Sequence, residues 1–143
     1  TLGPEPLSDE FDAKYLAEKL KKRNMPIKNL MMDNKIVVGV GNIYINESLF
    51  KSRIHPSRAA KSLKKAEIEL LVNDIKTTLD KAINSGGSSI SDYVDSSGNL
   101  GNFQNNFLVY GLEGQDCKIC SKNKIEKIVI GQRSTFFCSN CQK

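Results

Sequence analysis

Residues 117–141 read CKICSKNKIEKIVIGQRSTFFCSNC and contain every cysteine of the chain. Cys117 and Cys120 form one Cys-x-x-Cys pair, Cys138 and Cys141 form a second, and seventeen residues separate the two pairs. Each short pair can present two sulfurs from one tight turn, and a hairpin between them returns the chain so that the pairs meet. Four thiolates in this arrangement suit one tetrahedral zinc ion. The spacing therefore predicts a zinc ribbon with these four cysteines as its ligands.

A site with four protein sulfurs leaves no position for water, so the metal is expected to be structural and not catalytic. It would replace a hydrophobic core that is too small to fold alone. The alternatives are two vicinal redox disulfides or four unpaired thiols. No thioredoxin-like pattern surrounds either pair, and a disulfide-stapled secreted domain would spread its cysteines along the chain. Both observations favour zinc.

The residues between the cysteine pairs predict a β-hairpin. Lys124–Ile130 and Ser134–Phe137 are rich in strand-forming residues, and Gly131, Gln132 and Arg133 join them. Arg133 would then lie at the tip, where its guanidinium can form paired hydrogen bonds to phosphate oxygens. Alternatively, it is an ordinary solvated arginine in a turn.

The first hundred residues are predicted to be helical. One amphipathic helix covers Asp9–Arg23, Pro26 opens a second short helix, and the strongest helical periodicity of the chain runs from about Lys64 to Asn84. A further short helix is expected to end at Val94, before a Gly-, Ser- and Asn-rich loop. The predicted fold class is therefore mainly α, followed by the small β-hairpin ribbon.

Two glycines mark a tight turn between helices at Gly39 and Gly41. Asn42 follows and is expected to cap the next helix. Exposed amides at a helix start attract phosphate, glycine lets a ligand approach the backbone, and Lys35 lies just before the turn. The simpler alternative is that Asn42 is only a cap.

The bulk composition limits the class of protein. A chain of 143 residues with 39% hydrophobic content can build one helical domain and a small satellite. No apolar run approaches the roughly 20 residues that cross a bilayer, so we expect a soluble, cytoplasmic protein without membrane contact. The net charge of +5 favours a polyanionic partner, although many basic proteins bind none.

Three stretches resemble bacterial formamidopyrimidine-DNA glycosylases. They are residues 2–7 (LGPEPL), 32–44 (MDNKIVVGVGNIY) and 132–138 (QRSTFFC). The similarity runs in order along essentially the whole chain. It implies a linker at residues 1–8, a helix-two-turns-helix DNA-binding domain at 9–110 and the zinc ribbon at 111–143.

The resemblance also implies a function in DNA repair. Members of that family excise oxidised purines such as 8-oxoguanine and formamidopyrimidines, and they also cleave abasic sites. In them, residues at the positions of Asn42 and Arg133 contact phosphates beside the flipped nucleotide, and Lys35 and Gly41 fall near the same backbone. A segment like 95–107, which ends near Tyr110, closes over the extruded base. Base flipping costs a few kcal/mol, and such contacts must offset that cost.

The family's chemistry starts at an N-terminal proline amine, assisted by a glutamate and by a lysine from a β-rich domain. Pro4 lies inside this chain, so no catalytic residue is expected here. We therefore expect the C-terminal half of such an enzyme, a monomer that binds damaged double-stranded DNA, needs the missing N-terminal domain and is inactive alone. The alternatives are a stand-alone zinc-ribbon module that binds nucleic acid without enzymatic activity, and a structural module whose basic surface only serves solubility.

Four other titratable residues are candidates for functional groups. His55 is expected to be a packing or surface residue, because the cysteines already complete a metal site. Glu5, Asp33 and Glu47 have no evident acidic or basic partner in the sequence, which favours capping or solvated roles.

Overall fold

The computed structural model describes residues 1–84 and 106–143. Its helices are α1 (Ala13–Leu20), α2 (Ile27–Met31), α3 (Asn42–Lys51) and α4 (Lys65–Asn84), with a 3-10 turn at Ala60–Ser62, and its antiparallel strands are β1 (Glu126–Ile130) and β2 (Arg133–Phe137). The predicted mainly α fold with a β-hairpin is confirmed. The predicted short helix to Val94 and residues 95–105 of the predicted covering loop lie outside the described residues.

The first helix is shorter than predicted. Asp12 is extended, and its carboxylate accepts a hydrogen bond from the Tyr15 amide at 2.8 Å, so the helix begins at Ala13 rather than at Asp9. This contact satisfies an amide that the first turn leaves unpaired. At the other end, Lys21 leaves helical geometry and Lys22 has a φ of +61°, so the helix ends before the predicted Arg23.

Helix α3 is the central element of the fold. Every residue from Ile43 to Phe50 is buried, as expected for a helix packed on all sides. Ile45 and Leu49 belong to the large helical core, whereas Phe50 packs into a second, smaller core beneath the ribbon. The smaller core also contains these residues: Val109, Cys117, Ile125, Phe136, Cys138 and Cys141. One helix therefore joins both parts of the molecule.

The hairpin has a two-residue turn. Gly131 and Gln132 have φ angles of +57° and +65°, and Ile130 pairs with Arg133. Two consecutive residues with positive φ match the twist of adjoining antiparallel strands. Arg133 is therefore the first residue of β2, and the prediction that it belongs to the turn is wrong.

The first strand also begins later than predicted. Ile125 exchanges backbone hydrogen bonds with the segment before the first cysteine pair, donating to Gln115 and accepting from Gly114, each at 2.9 Å. Lys124 likewise forms an isolated bridge with Asp116. These residues are therefore used in a separate pairing, and the ladder with β2 starts at Glu126.

The first residues of the chain pack against the loop that precedes α3. The Gly3 amide donates to the Asn34 carbonyl at 2.9 Å, and the Val38 amide donates to the Pro4 carbonyl at 3.0 Å. Further along, the Lys76 ammonium donates to the Ser8 carbonyl at 2.7 Å. Within residues 1–84 and 106–143, no helix combines the length and hydropathy needed to cross a bilayer.

Candidate metal centre and nucleic-acid interface

The four cysteines form one compact cluster. The Sγ atoms of Cys117 and Cys141 are 3.8 Å apart, those of Cys120 and Cys138 are 3.7 Å apart, and all four lie within 4.8 Å of one another. Tetrahedral zinc with Zn–S bonds of about 2.3 Å places its sulfurs about 3.8 Å apart. None of these four cysteines is in a disulfide. The cluster therefore fits the predicted structural zinc ion, with no ligand position left for water.

Backbone amides prepare one thiol for the metal. The Lys122 amide donates to the Cys120 sulfur at 3.4 Å. This contact, together with the Asn123 amide, lowers the pKa of the Cys120 thiol to about 6. Zinc binds the thiolate form, so these amides favour the protonation state that a ligand needs.

Gln142 attaches the metal centre to the helical body. Its buried side chain accepts a hydrogen bond from the Cys138 amide and donates one to the Ile54 carbonyl, both at 2.9 Å. The Lys143 amide also donates to the Arg53 carbonyl at 3.2 Å. Both carbonyls follow the C-terminal end of α3. The metal centre is therefore fixed to the same helix that carries Asn42 at its other end.

Two asparagines at the start of α3 hold the second strand. The Asn42 amide group donates to the Ser134 carbonyl at 3.0 Å, and the Asn46 side-chain oxygen accepts from the Phe136 amide at 2.8 Å. Gly41 occupies the N-cap position and Asn42 is the first helical residue, so the prediction that Asn42 caps the helix is wrong. Its side chain reaches the strand instead of the helix's own amides.

A buried lysine reaches the same strand. Lys28 of α2 is 1% exposed, and its ammonium donates to the Thr135 hydroxyl at 2.8 Å and to the Ser134 carbonyl at 3.3 Å. Burial, followed by the nearby charge of Arg133, lowers the pKa of Lys28 to about 8. The four ion pairs found among the described residues do not include this ammonium. An anion bound beside it would therefore be stabilised.

Arg133 is exposed and lines a cavity of about 250 Å³ between the hairpin and α2. The cavity is lined by Lys28, Asn29, Met32, Asp33, Ile130, Gly131 and Arg133. Asn42 binds the carbonyl of the residue that follows Arg133. The structure thus brings Asn42 and Arg133, the two residues predicted to contact phosphate, to neighbouring positions. Lys28 supplies a second cation between α2 and strand β2.

The depressed pKa of Lys28 predicts a pH-dependent stability. Between about pH 8 and pH 10.5 the unfolded chain holds this proton and the folded chain does not, so the free energy of unfolding should rise with pH in that window. The gain is at most about 3 kcal/mol. We expect chemical denaturation of the zinc-bound protein to show this rise, Lys28→Met to remove it, and Lys65→Met, a change at an exposed lysine, to retain it. Equal pH slopes in wild type and Lys28→Met would contradict the assignment.

Glu47 is buried and holds the segment that leads into the ribbon. Its two carboxylate oxygens accept hydrogen bonds from the amides of Leu108, Val109 and Tyr110 at 2.7, 2.9 and 2.8 Å. The expected solvated or capping role is therefore wrong for this glutamate. Successive amides that converge on a carboxylate form a compact anion site, which here is filled by the protein itself.

Tyr110 lies between two aromatic side chains. Its ring centroid is 4.9 Å from that of Phe136 and 5.8 Å from that of Phe107, both in edge-on geometry. This packing joins the residues that precede the ribbon to strand β2. A contact of Tyr110 with DNA stays a prediction.

The other sequence-predicted residues are placed as follows. Lys35 and Gly41 are both exposed, before and at the start of α3. The Asp33 carboxylate accepts from the Lys35 amide at 2.9 Å, a local turn contact. His55 packs on Phe137 with ring centroids 4.5 Å apart, and burial lowers its pKa, in line with the packing role expected for it.

Sequence reasoning missed Lys28, Asn46 and Gln142. The partners of Lys28 are 106 and 107 residues away, and those of Gln142 include one at a distance of 88 residues, so no local pattern indicates them. Asn46 offered one signal, because it lies one helical turn after Asn42 on the same face of α3.

The fold and the site together define a zinc-finger protein whose metal-bound hairpin is fixed to a helical body through one central helix. Residues 2–94 match the family described as the formamidopyrimidine-DNA glycosylase H2TH domain, and residues 114–143 match the zinc finger found in FPG and IleRS. The chain belongs to the formamidopyrimidine-DNA glycosylase H2TH family, as its sequence motifs predicted.

Similar proteins cover nearly the whole chain. The formamidopyrimidine-DNA glycosylase of Vibrio atlanticus is 49% identical over 140 residues, which are 98% of this chain and 52% of the relative. That of Wolbachia sp. subsp. Drosophila simulans is 54% identical over 140 residues, or 98% and 51%. The chain therefore spans about half the length of the curated relatives it matches.

Solved structures agree with this assignment. The Lactococcus lactis enzyme, non-covalently bound to DNA containing an AP site, is 40% identical with a TM-score of 0.86, and the match covers 99% of this chain and 50% of that one. The Thermus thermophilus protein is also 40% identical with a TM-score of 0.86, covering 99% and 53%.

Proposed function

We propose that this chain is the DNA-gripping half of a base-excision-repair glycosylase, and that Asn42 and Arg133 clasp phosphates beside a damaged nucleotide. One observation carries the proposal. Asn42 donates to the carbonyl of Ser134, the residue next to Arg133, so the helical body and the ribbon present their polar groups at one place. Lys28 donates to the same carbonyl and supplies a further cation.

The charges around this place suit a phosphate backbone. Arg133 is close enough to Lys28 for its charge to contribute to the lowered pKa of Lys28. A phosphate between the two cations would relieve their repulsion. A guanidinium can contact two phosphate oxygens at once. Lys35 is exposed in the loop that leads into α3 and is a further candidate for phosphate contact.

The relatives support the choice of substrate. The Lactococcus lactis protein was solved with AP-site DNA and, as a mutant, with Fapy-dG-containing DNA. We therefore propose double-stranded DNA with oxidised purines or abasic sites as the ligand. The glycosylase and lyase activities are proposed for the whole enzyme. The 143 residues tested as a separate protein should bind DNA without excising a base.

Arg133→Ala and Asn42→Ala should each weaken binding to an abasic-site duplex about tenfold, because each removes a phosphate contact worth roughly 1–2 kcal/mol. Fluorescence anisotropy at several salt concentrations measures this, and Arg133→Ala should also lower the salt slope by about one unit. Lys65→Ala removes an equal charge on the groove between α1 and α4, away from the cavity of Arg133, and should bind like wild type.

Zinc content and thermal melting of each variant verify that the fold is intact. Unchanged affinity in both variants would remove the phosphate-clasp assignment. Equal affinity for abasic and undamaged duplexes would favour a stand-alone nucleic-acid-binding module over a lesion-recognising one. Absence of any salt-sensitive DNA binding would favour the structural module, whose basic surface only serves solubility.

A further inference from the structure

The loop before α3 is held from outside by the first residues of the chain. Gly3 donates to the Asn34 carbonyl and Pro4 accepts from the Val38 amide, at 2.9 and 3.0 Å. These two bonds bracket residues 35–37 on both sides. We call residues 3–4 the strap.

The strap passes so close to the loop that only glycine fits at position 3. A Cβ built on Gly3 would lie 2.4 Å from the carbonyl oxygen of Ile36 and 2.9 Å from that of Lys35. Both contacts are with backbone atoms, which cannot rotate away as a side-chain end would. Any other residue must therefore displace the loop or the strap that packs on it.

Helix α1 holds the loop on the side opposite to the strap. The Tyr15 hydroxyl of α1 donates to the same Ile36 carbonyl at 2.5 Å, and both Ile36 and Val37 are buried. The loop is therefore sandwiched between the strap and the helical core. Val38, the last residue held by the strap, lies only four positions before Asn42 at the start of α3.

We propose that Gly3 is a positioning residue for the phosphate-binding surface: the close approach of the strap sets the position of Lys35 and of the first turn of α3. This inference rests on the proposed function. The loop carries Lys35 at its outer edge and leads directly into the residues that meet β2. A displacement of its backbone by a few tenths of an ångström or more changes where these groups meet a phosphate.

Gly3→Ala is the direct test, made on the complete 143-residue chain loaded with zinc. We expect its affinity for an abasic-site duplex to fall about tenfold, and the Val38 amide to exchange with solvent faster. Zinc content and exchange at the Cys138 amide should stay as in wild type, because that amide is held by the Gln142 side chain and not by the start of α3. Leu2→Ala, at a side chain that is 72% exposed, is the matched control and should change neither quantity.

Tyr15→Phe is a second variant that retains Gly3 and removes only the hydroxyl that holds the Ile36 carbonyl. It should weaken DNA binding about threefold and speed exchange at the loop. Faster exchange at the loop with wild-type DNA affinity would show that the loop position does not matter for binding and would overturn the inference even if Gly3→Ala does not fold. Wild-type affinity in the folded Gly3→Ala variant, with Arg133→Ala still weakened, would overturn the role of Gly3 while the phosphate clasp stands. Equal affinity of wild type, Arg133→Ala and Asn42→Ala would instead overturn the proposed function and this inference with it.

Discussion

Removal of zinc is expected to unfold the ribbon and to abolish the proposed phosphate clasp while the helical body stays folded. The ribbon's own core contains few large apolar side chains, chiefly Phe50, Val109, Ile125 and Phe136. A structural zinc site contributes roughly 10–16 kcal/mol of binding free energy, which such a core cannot replace. The larger helical core, by contrast, contains none of the cysteines. Loss of the metal should therefore release β2 from α3 and carry Arg133 away from Asn42.

Denaturing the protein in the presence of a colorimetric zinc indicator gives the metal content before and after treatment with a chelator. Amide exchange then separates the two parts: the Phe136 amide should lose protection, and amides within α4 should keep theirs. DNA affinity should fall by at least a hundredfold. Cys138→Ser should reproduce these results, whereas Lys122→Ala, an exposed change between the cysteine pairs, should not. Intact Phe136 protection and DNA binding in metal-free protein would show that the zinc is dispensable.

Glu47→Ala is expected to destabilise the fold strongly. It leaves the amides of Leu108, Val109 and Tyr110 without their acceptor, at a cost of about 1–3 kcal/mol for each buried amide. Partial entry of water reduces the total, so we expect a loss on the order of 3–5 kcal/mol in free energy of unfolding.

Urea denaturation of the zinc-bound protein measures this loss. Glu47→Gln retains one carbonyl oxygen and should be less destabilised than Glu47→Ala, whereas Glu69→Ala on the exposed face of α4 should be close to wild type. Because residues 108–110 lie directly before the ribbon, DNA affinity should fall together with stability. A Glu47→Ala protein within about 0.5 kcal/mol of wild type would contradict the role assigned to these hydrogen bonds.

The metal centre and the main helices were predictable because their signals are local. The four-cysteine spacing follows from ligand geometry, and the apolar period of residues 64–84 follows from the helix repeat. The boundaries were less predictable. The sequence pattern predicts a helix that contains Asp12, whereas Asp12 caps it. The pattern predicts Asn42 as a cap, whereas Gly41 occupies that position, and it predicts Arg133 in a turn, whereas Arg133 begins a strand. In each case a single hydrogen bond or backbone angle decides where the element begins or ends, and the residue types alone do not predict that bond or angle.

The amino-acid sequence by itself determined the zinc site, the helical class and the family, since each depends on residue type and on spacing along the chain. The phosphate contacts of Asn42 and Arg133 stay predictions that the family resemblance implies. Only the tertiary structure decided how these parts are joined. Lys28, Asn46 and Glu47 bind backbone groups that lie 61 to 106 residues away, and Gly3 is required by a backbone that it meets only after folding. Side-chain contacts to a distant backbone carry no pattern in the sequence, because the partner is a peptide group that every residue possesses.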